Sequence, residues 1–255
     1  MGQRLVEKVA VVTGGGSGIG EAIARRFAAE GCRVVVCGRR LAPLEKLATE
    51  IRGLAVAADV TAETEVAALF RACDEAYGRL DVLVNSAGAV GAMSDLAAMD
   101  MTAWDHTIAV NLRGVVLCVK GATPLLRCQG GAIVNIGSRG GLHGSRAGAS
   151  DYVAAKFAVT GLTESLAQEL GPLGIRVNDV CPGVVDTEMS RRSLEAMGRD
   201  LGMAAADVRR TMFTETAALG RLVEAEEVAA TALFLASDDA SAITGAHLKV
   251  DSGRR

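Results

Sequence analysis

No run of like charges interrupts the 255 residues, whose net charge is −3. Nucleic acids and anionic membranes are met by basic patches, so the lack of one argues against both partners. The densest positive stretches are the doublets Arg39-Arg40, Arg191-Arg192 and Arg209-Arg210. The last two read as solvated surface. Six cysteines, at 32, 37, 73, 118, 128 and 181, form no C-x-x-C pair and have no histidine at metal-ligand spacing. That excludes a zinc motif or a disulfide framework and predicts free thiols in a reducing compartment, with the cytoplasm as the expected location. The histidines at 106, 143 and 247 also lack partners at metal or triad spacing, so no metal site is expected. His143 is the one to watch, because its loop should border a substrate. The only apolar run near the start, Val9 to Val12, is too short for a signal peptide or a membrane span. Val6 stands where myristoylation needs Ser or Thr. Neither a G-x-S-x-G elbow nor a P-loop occurs, which excludes α/β-hydrolase and P-loop chemistry. With no repeat, low-complexity tract or Pro/Gly linker, residues 1–255 are expected to form one domain.

What is present is an alternation of short apolar, β-rich runs with longer segments of helical period. It predicts an α/β fold with a doubly wound parallel sheet covered on both faces. Seven strands are expected, at Lys8 to Thr13, Arg33 to Cys37, Leu54 to Ala58, Asp81 to Asn85, Ala132 to Ile136, Arg176 to Val180 and Ala246 to Val250. Helical stripes fall at Ile19 to Glu30 and Thr61 to Tyr77. The segment 186–216 breaks the rhythm and is read as a substrate lid in preference to an ordinary helix pair. Its Met189, Met197, Met203, Met212 and Phe213 predict an adaptable apolar pocket.

The first strand runs into Thr13-Gly14-Gly15-Gly16-Ser17-Gly18-Ile19-Gly20 and then a helix. Glycines let the backbone approach a pyrophosphate, and the helix N-terminus offers it unpaired N–H groups. The spacing differs from G-x-G-x-x-G, so the position between strand and helix carries the argument. A ribose 2′-hydroxyl would be held by a carboxylate at the end of the second strand, and a 2′-phosphate by arginine. Here Arg39 and Arg40 stand there, so NADP(H) is expected, with NAD(H) as the alternative; Ser17 occupies a place where a second cation would have strengthened that reading. Asp59-Val60, after the third strand, could accept from an adenine amino group, or Asp59 could belong to a helix N-cap. Asn85-Ser86-Ala87-Gly88, after the fourth, would let the cofactor pass over the sheet edge, or form a plain turn.

Tyr152 and Lys156, four apart, share a helix face, so an ammonium can favour the phenolate of a group able to exchange protons with an alcohol or ketone. Together these residues resemble the short-chain dehydrogenase/reductase family over nearly the whole chain, from Thr13–Gly20 through Asn111, Ser138, Tyr152, Lys156 and Pro182-Gly183 to Val250-Asp251. The resemblance implies hydride transfer between a nicotinamide and a carbonyl or alcohol carbon. In it Tyr152 is the acid/base, Lys156 lowers its pKa and holds the ribose, Ser138 polarises the substrate oxygen, and Asn111 completes a water-linked relay at a helix irregularity. Pro182, Gly183, Val185 and Thr187 would wall the nicotinamide. Family members are commonly tetramers, joined through the long helices flanking strand five and through the last strand, so a homo-oligomer is expected. Three departures stand out: Ser86 where a second asparagine is usual, one extra residue between Ser138 and Tyr152, and Ser252 near the end. Ser145 is a less favoured substitute for Ser138. The Tyr-to-Lys interval favours carbonyl over enoyl reduction. A non-catalytic cofactor-binding sensor or scaffold is the alternative function.

Overall fold

The computed structural model describes residues 3–144 and 148–254, so Ser145 lies outside the described residues. The described residues form one seven-stranded parallel sheet of order β3-β2-β1-β4-β5-β6-β7. Its strands are β1 (Val9–Thr13), β2 (Arg33–Gly38), β3 (Leu54–Ala57), β4 (Val82–Asn85), β5 (Gly131–Ile136), β6 (Ile175–Pro182) and β7 (His247–Val250). Chain order reverses between β1 and β4, which opens a crevice at the C-terminal ends of the strands.

The runs are nearly unbroken in apolar residues because both sheet faces are covered. In β1, Ala10 and Val12 enter one core while Val9 and Val11 enter the other. The first core packs under α1 (Gly18–Ala29), α2 (Leu41–Ile51) and α9 (Ala225–Ala236), through Ile23, Phe27, Leu44, Leu47 and Leu233. The second packs under α3 (Glu63–Tyr77), α5 (Gly114–Leu126) and α6 (Ser150–Leu170), through Leu69, Phe70, Leu117, Val159 and Leu166. A short helix, α4 (Met101–Ile108), passes into α5 through a π-turn at Ala109–Arg113. The combined stretch Met101–Leu126 is long and apolar enough to cross a bilayer. Here Val115, Cys118, Val119, Ala122 and Leu126 bury one side of it in the second core.

Strand ends depart from the expected ones where side chains intervene. Asp81 lies outside β4, its carboxylate accepting from the Val9 N–H at 2.9 Å and pairing with Arg79 at 2.6 Å. Strand β6 runs two residues further than expected, because Pro182 still faces Val250 of β7. Alternation also sets the direction of one side chain. Asn85 shares the face of Leu83, so its amide turns into the core and donates to Asn135 Oδ1 at 2.9 Å, and Asn135 donates in turn to Thr163 Oγ1 at 2.9 Å. Only its main chain is left for the cofactor edge. Val60 is buried too, against Gly114.

The ends of β1 and β4 are tied by Thr13, whose hydroxyl oxygen accepts from the N–H groups of Ser86 at 3.0 Å and Ala87 at 3.1 Å. Replacing it with valine keeps the shape and strands both donors, each costing about 1–3 kcal/mol. Thr13→Val is therefore expected to lower the unfolding free energy by at least about 2 kcal/mol in urea titrations, with Thr13→Ser close to wild type.

Candidate active site

The glycine loop lies directly on the turn after β4. Gly14 has φ +66°, and a Cβ there would sit 2.8 Å from the Ser86 oxygen and 2.9 Å from the Ala87 nitrogen. A side chain at Gly20 would collide with the Gly14 carbonyl oxygen. Ser17, the residue before α1, is extended and makes no capping bond. The first-turn N–H groups of α1 therefore keep their donors for an anion, and the backbone leaves the close approach that a pyrophosphate needs. Arg39 and Arg40 follow β2, both exposed, and neither makes an ion pair among the described residues. Asp59 Oδ1 accepts from the Thr61 N–H at 2.9 Å and the Thr61 hydroxyl at 2.8 Å. These bonds, with Arg39 further off, hold its carboxyl below the usual carboxylate range. One of its oxygens already serves the turn that leads into α3, whose N-cap is Ala62.

At the other side of the crevice α6 presents its first turns to the end of β5. Lys156 is 6% exposed, and its Nζ donates to the Ile136 carbonyl oxygen at 2.7 Å. The same nitrogen lies 5.8 Å from the centre of the Tyr152 ring. Ser138 follows β5, with its Oγ accepting from the Gly140 N–H at 3.0 Å, so its proton is free to donate elsewhere. The empty Cβ position of Gly140 is 3.4 Å from Ser138 Oγ and 4.0 Å from Tyr152 Cε1. The Ser138 hydroxyl and the edge of the Tyr152 ring thus border one point. Residues Arg139–Gly141 form a 3-10 turn packed on α6, where Gly141 leaves no room for a side chain beside the Lys156 carbonyl. His143 is exposed at the rim.

Asn111 sits in the π-turn, 1% exposed. Its amide donates to the carbonyls of Ala89 and Thr107, both at 3.0 Å, and accepts from the Ala89 N–H at 3.2 Å. Both amide hydrogens are thus engaged with protein, and what the side chain visibly does is clamp the loop after β4 to the irregular helix. The helix irregularity itself is where the resemblance put it. A residue missed in the sequence does similar work. Asp151, fully buried, accepts from Ala92 N at 2.8 Å, Thr107 Oγ1 at 2.9 Å and Tyr152 N at 2.7 Å. Its only signal was an acidic side chain in the first turn of a helix, a common feature.

At the end of β6 Pro182 is buried, as is Val185 after it, while Gly183 donates its N–H to Val250 O at 2.9 Å. Thr187 caps α7 (Glu188–Leu201), and its Cγ2 comes 3.2 Å from where a Cβ at Gly18 would stand. The segment then forms α8 (Ala205–Val208) and a π-turn at Arg209–Thr214. Leu194, Met197, Val208, Phe213 and Leu222 make a small core of its own. Met197 and Phe213 are therefore not pocket wall, which leaves the exposed Met189 and Met203 and the partly buried Met212. Arg191 and Arg209, read as solvated surface, have solvent-exposed side chains, and both also meet Asp186, at 3.0 and 2.9 Å. Burial alone would push the Asp186 carboxyl up, yet the two guanidiniums hold it below its ordinary range.

Comparison with known proteins agrees with this arrangement. A family model described as enoyl-(acyl carrier protein) reductase matches residues 14–255. Meso-2,3-butanediol dehydrogenase of Serratia marcescens is 42% identical over 253 residues, covering 98% of this chain and 95% of that protein. The crystal structure of a levodione reductase superposes with a TM-score of 0.92 at 34% identity, covering 98% of each chain. That of a point variant of actinorhodin polyketide ketoreductase with NADPH gives 0.92 at 36%, covering 99% of this chain and 98% of that one. A glycine loop at the β1/β4 switch point, a buried lysine beside a tyrosine at the end of β5, and relatives matched end to end have one common reading: the chain belongs to the short-chain dehydrogenase/reductase family and is an NAD(P)-dependent oxidoreductase of alcohols and ketones.

Proposed function

We propose that the enzyme interconverts a ketone and a secondary alcohol with NADP(H), using Tyr152 as general acid and base. The observation that carries this reading is the buried Lys156, anchored on the Ile136 carbonyl, with the Tyr152 ring and the Ser138 hydroxyl bordering one space. When bound, the nicotinamide supplies or accepts the hydride. The protein's part is to hold the substrate oxygen and manage its proton. Ser138 Oγ, already accepting from Gly140, donates its proton to that oxygen. As negative charge develops there, two donors aimed at it stabilise the transition state, and Tyr152 gives up its proton to complete the alcohol. In the reverse direction the tyrosine takes the proton back. Lys156 spends one of its three donors on Ile136 and keeps two for a ribose and for the tyrosine side. Gly14, Ser17, Gly18, Ile19 and Gly20 would seat the pyrophosphate, with Asn85, Ala87 and Gly88 below it and Pro182, Gly183, Val185 and Thr187 on the nicotinamide side.

NADP(H) is favoured over NAD(H) because the cationic side chains of Arg39 and Arg40 stand exposed after β2 and no carboxylate competes at that point. The NADPH named with one structural neighbour supports it. Names among the relatives, butanediol and levodione, favour compact hydroxy-ketones and diones over acyl thioesters. A homo-oligomer is supported by Val116 of α5 and Phe157 of α6, apolar and 42% and 44% exposed on the helices flanking β5. Segment 186–216 acts as a lid hinged on Asp186.

A panel of small ketones and secondary alcohols with NADPH and NADH tests the reading. Wild type should turn over compact ketones with the lower KM for NADPH, and Tyr152→Phe should lose about 10²–10⁴-fold in kcat while still binding NADPH. Tighter NADH binding would reverse the cofactor assignment, and NADPH binding without turnover of any carbonyl would make the protein a sensor. Asp186→Asn should raise the substrate KM several-fold with a smaller change in kcat, and should open 187–214 to trypsin. Because the Asp186 carboxyl titrates lower folded than unfolded, its clamp is complete above about pH 4 and is lost only as pH falls below that value. A lid that becomes protease-sensitive between about pH 6 and 8 is not held this way.

A further inference from the structure

Parallel pairing of β6 with β7 sets Asp179 opposite His247, and Cys181 follows two residues on along the same face of β6. Asp179 and Cys181 are fully buried, and the His247 side chain is 15% exposed. Asp179 Oδ2 lies 3.2 Å from Cys181 Sγ and 3.5 Å from His247 Nδ1. The three donor atoms all fall within 4.8 Å of one another. In a tetrahedral zinc site, metal–ligand bonds of about 2.0–2.3 Å make neighbouring donors about 3.3–3.7 Å apart. The oxygen-to-nitrogen edge falls inside that range and the oxygen-to-sulfur edge just below it. We propose that Asp179, Cys181 and His247 form a binding site for one thiophilic divalent cation of the Zn²⁺ type, packed behind the turn at Gly137-Ser138 and argued from its own donor set.

Three features beyond the donor set support the assignment. His247 Nδ1 is buried and has no hydrogen-bond partner, which leaves a nitrogen lone pair or proton aimed at the other two donors. The outer shell is already in place. His247 Nε2 meets Glu164 Oε1 of α6 at 3.0 Å, and Asp179 Oδ1 accepts from the Gly137 N–H at 2.8 Å, so two of the ligands are oriented through a second polar atom, while Asp179 Oδ2 accepts from the Cys181 thiol, whose proton the cation would displace. Room has also been left for the carboxylate, since any side chain at Gly137 would overlap Asp179. The charges balance. One carboxylate and one thiolate neutralise a divalent cation, the neutral imidazole and a water complete four ligands, and the thiol proton, together with any proton held on His247 Nδ1, leaves to solvent on binding. A thiolate among the donors disfavours Mg²⁺ and Ca²⁺. Burial, with Asp179 beside it, pushes the Cys181 thiol up in the metal-free protein, a situation that a bound cation reverses outright. Sequence spacing hid the site because its ligands come from two strands far apart in the chain that meet only through the sheet.

The test is a titration of the full-length, EDTA-stripped protein with Co²⁺ alone. The expected result is one equivalent bound in a four-coordinate spectrum that includes a thiolate-to-cobalt charge-transfer band, all displaced by Zn²⁺. Cys181→Ser should abolish that band, and His247→Gln should abolish binding, whereas Cys128→Ser, at the exposed cysteine, should leave both intact. Should the buried variants fail to fold, Glu164→Gln leaves all three ligands in place and should weaken Co²⁺ affinity about 10–100-fold. A titration with no charge-transfer band at one equivalent, a band that survives Cys181→Ser, or unchanged affinity in Glu164→Gln would each overturn the assignment.

Discussion

An ammonium buried to 6% exposure is the constraint on which the candidate active site depends. Lysine is seldom buried, and a desolvated charge is costly unless donors and acceptors are matched to it. Lys156 meets that requirement with the last carbonyl of β5, at Ile136, which fixes the first turns of α6 against the strand end. Once that helix is fixed, Tyr152, one turn earlier on the same face, cannot be anywhere but over the crevice. Ser138, two residues beyond Ile136, is carried to the other side of the same space. A single hydrogen bond therefore couples the sheet, the helix and both groups able to donate to a substrate oxygen.

The remaining loops are held by polar side chains that accept backbone N–H groups. Thr13 takes those of Ser86 and Ala87, Asn111 takes Ala89, and Asp151 takes Ala92 and Tyr152. Each bond stands where the chain leaves regular structure, so its donor would otherwise be unpaired at low exposure. The consequence is a rim whose shape is set before any ligand arrives. Such preorganisation is what proton transfer and oxyanion stabilisation require, because donors that must reorient at the moment of reaction contribute less.

Much of this was legible in the sequence for identifiable reasons. Seven apolar runs with β-branched residues gave seven strands because both sheet faces are buried, and the glycine loop and the Tyr152–Lys156 spacing are local patterns that survive folding unchanged. What escaped depended on contacts between distant segments. Asp151 looked like any acidic residue at a helix start, and only the fold shows it bridging Ala92 and Thr107. The side chains of Asn85 and Val60 point inward, through strand alternation and Gly114 packing, a direction that position along the chain did not reveal. Arg191 and Arg209 are the surface charges they read as, and only the fold shows that both meet Asp186. Met197 and Met212 looked equivalent in sequence, but a small core shared by segment 186–216 and Leu222 buries the former more completely.

The role of the buried lysine is tested most directly on Lys156→Met, which keeps the aliphatic stem and removes the charge. Melting temperature, the NADPH dissociation constant and the single-turnover rate with a competent ketone would be read on the same preparation. The expected outcome is a folded protein that binds NADPH at least about tenfold more weakly and turns over at least about a hundredfold more slowly. Lys156→Arg should fail to restore the rate, because its planar fork cannot occupy the site of a compact ammonium. A Lys156→Met protein that melts, binds and turns over like wild type would contradict the central place given to this residue.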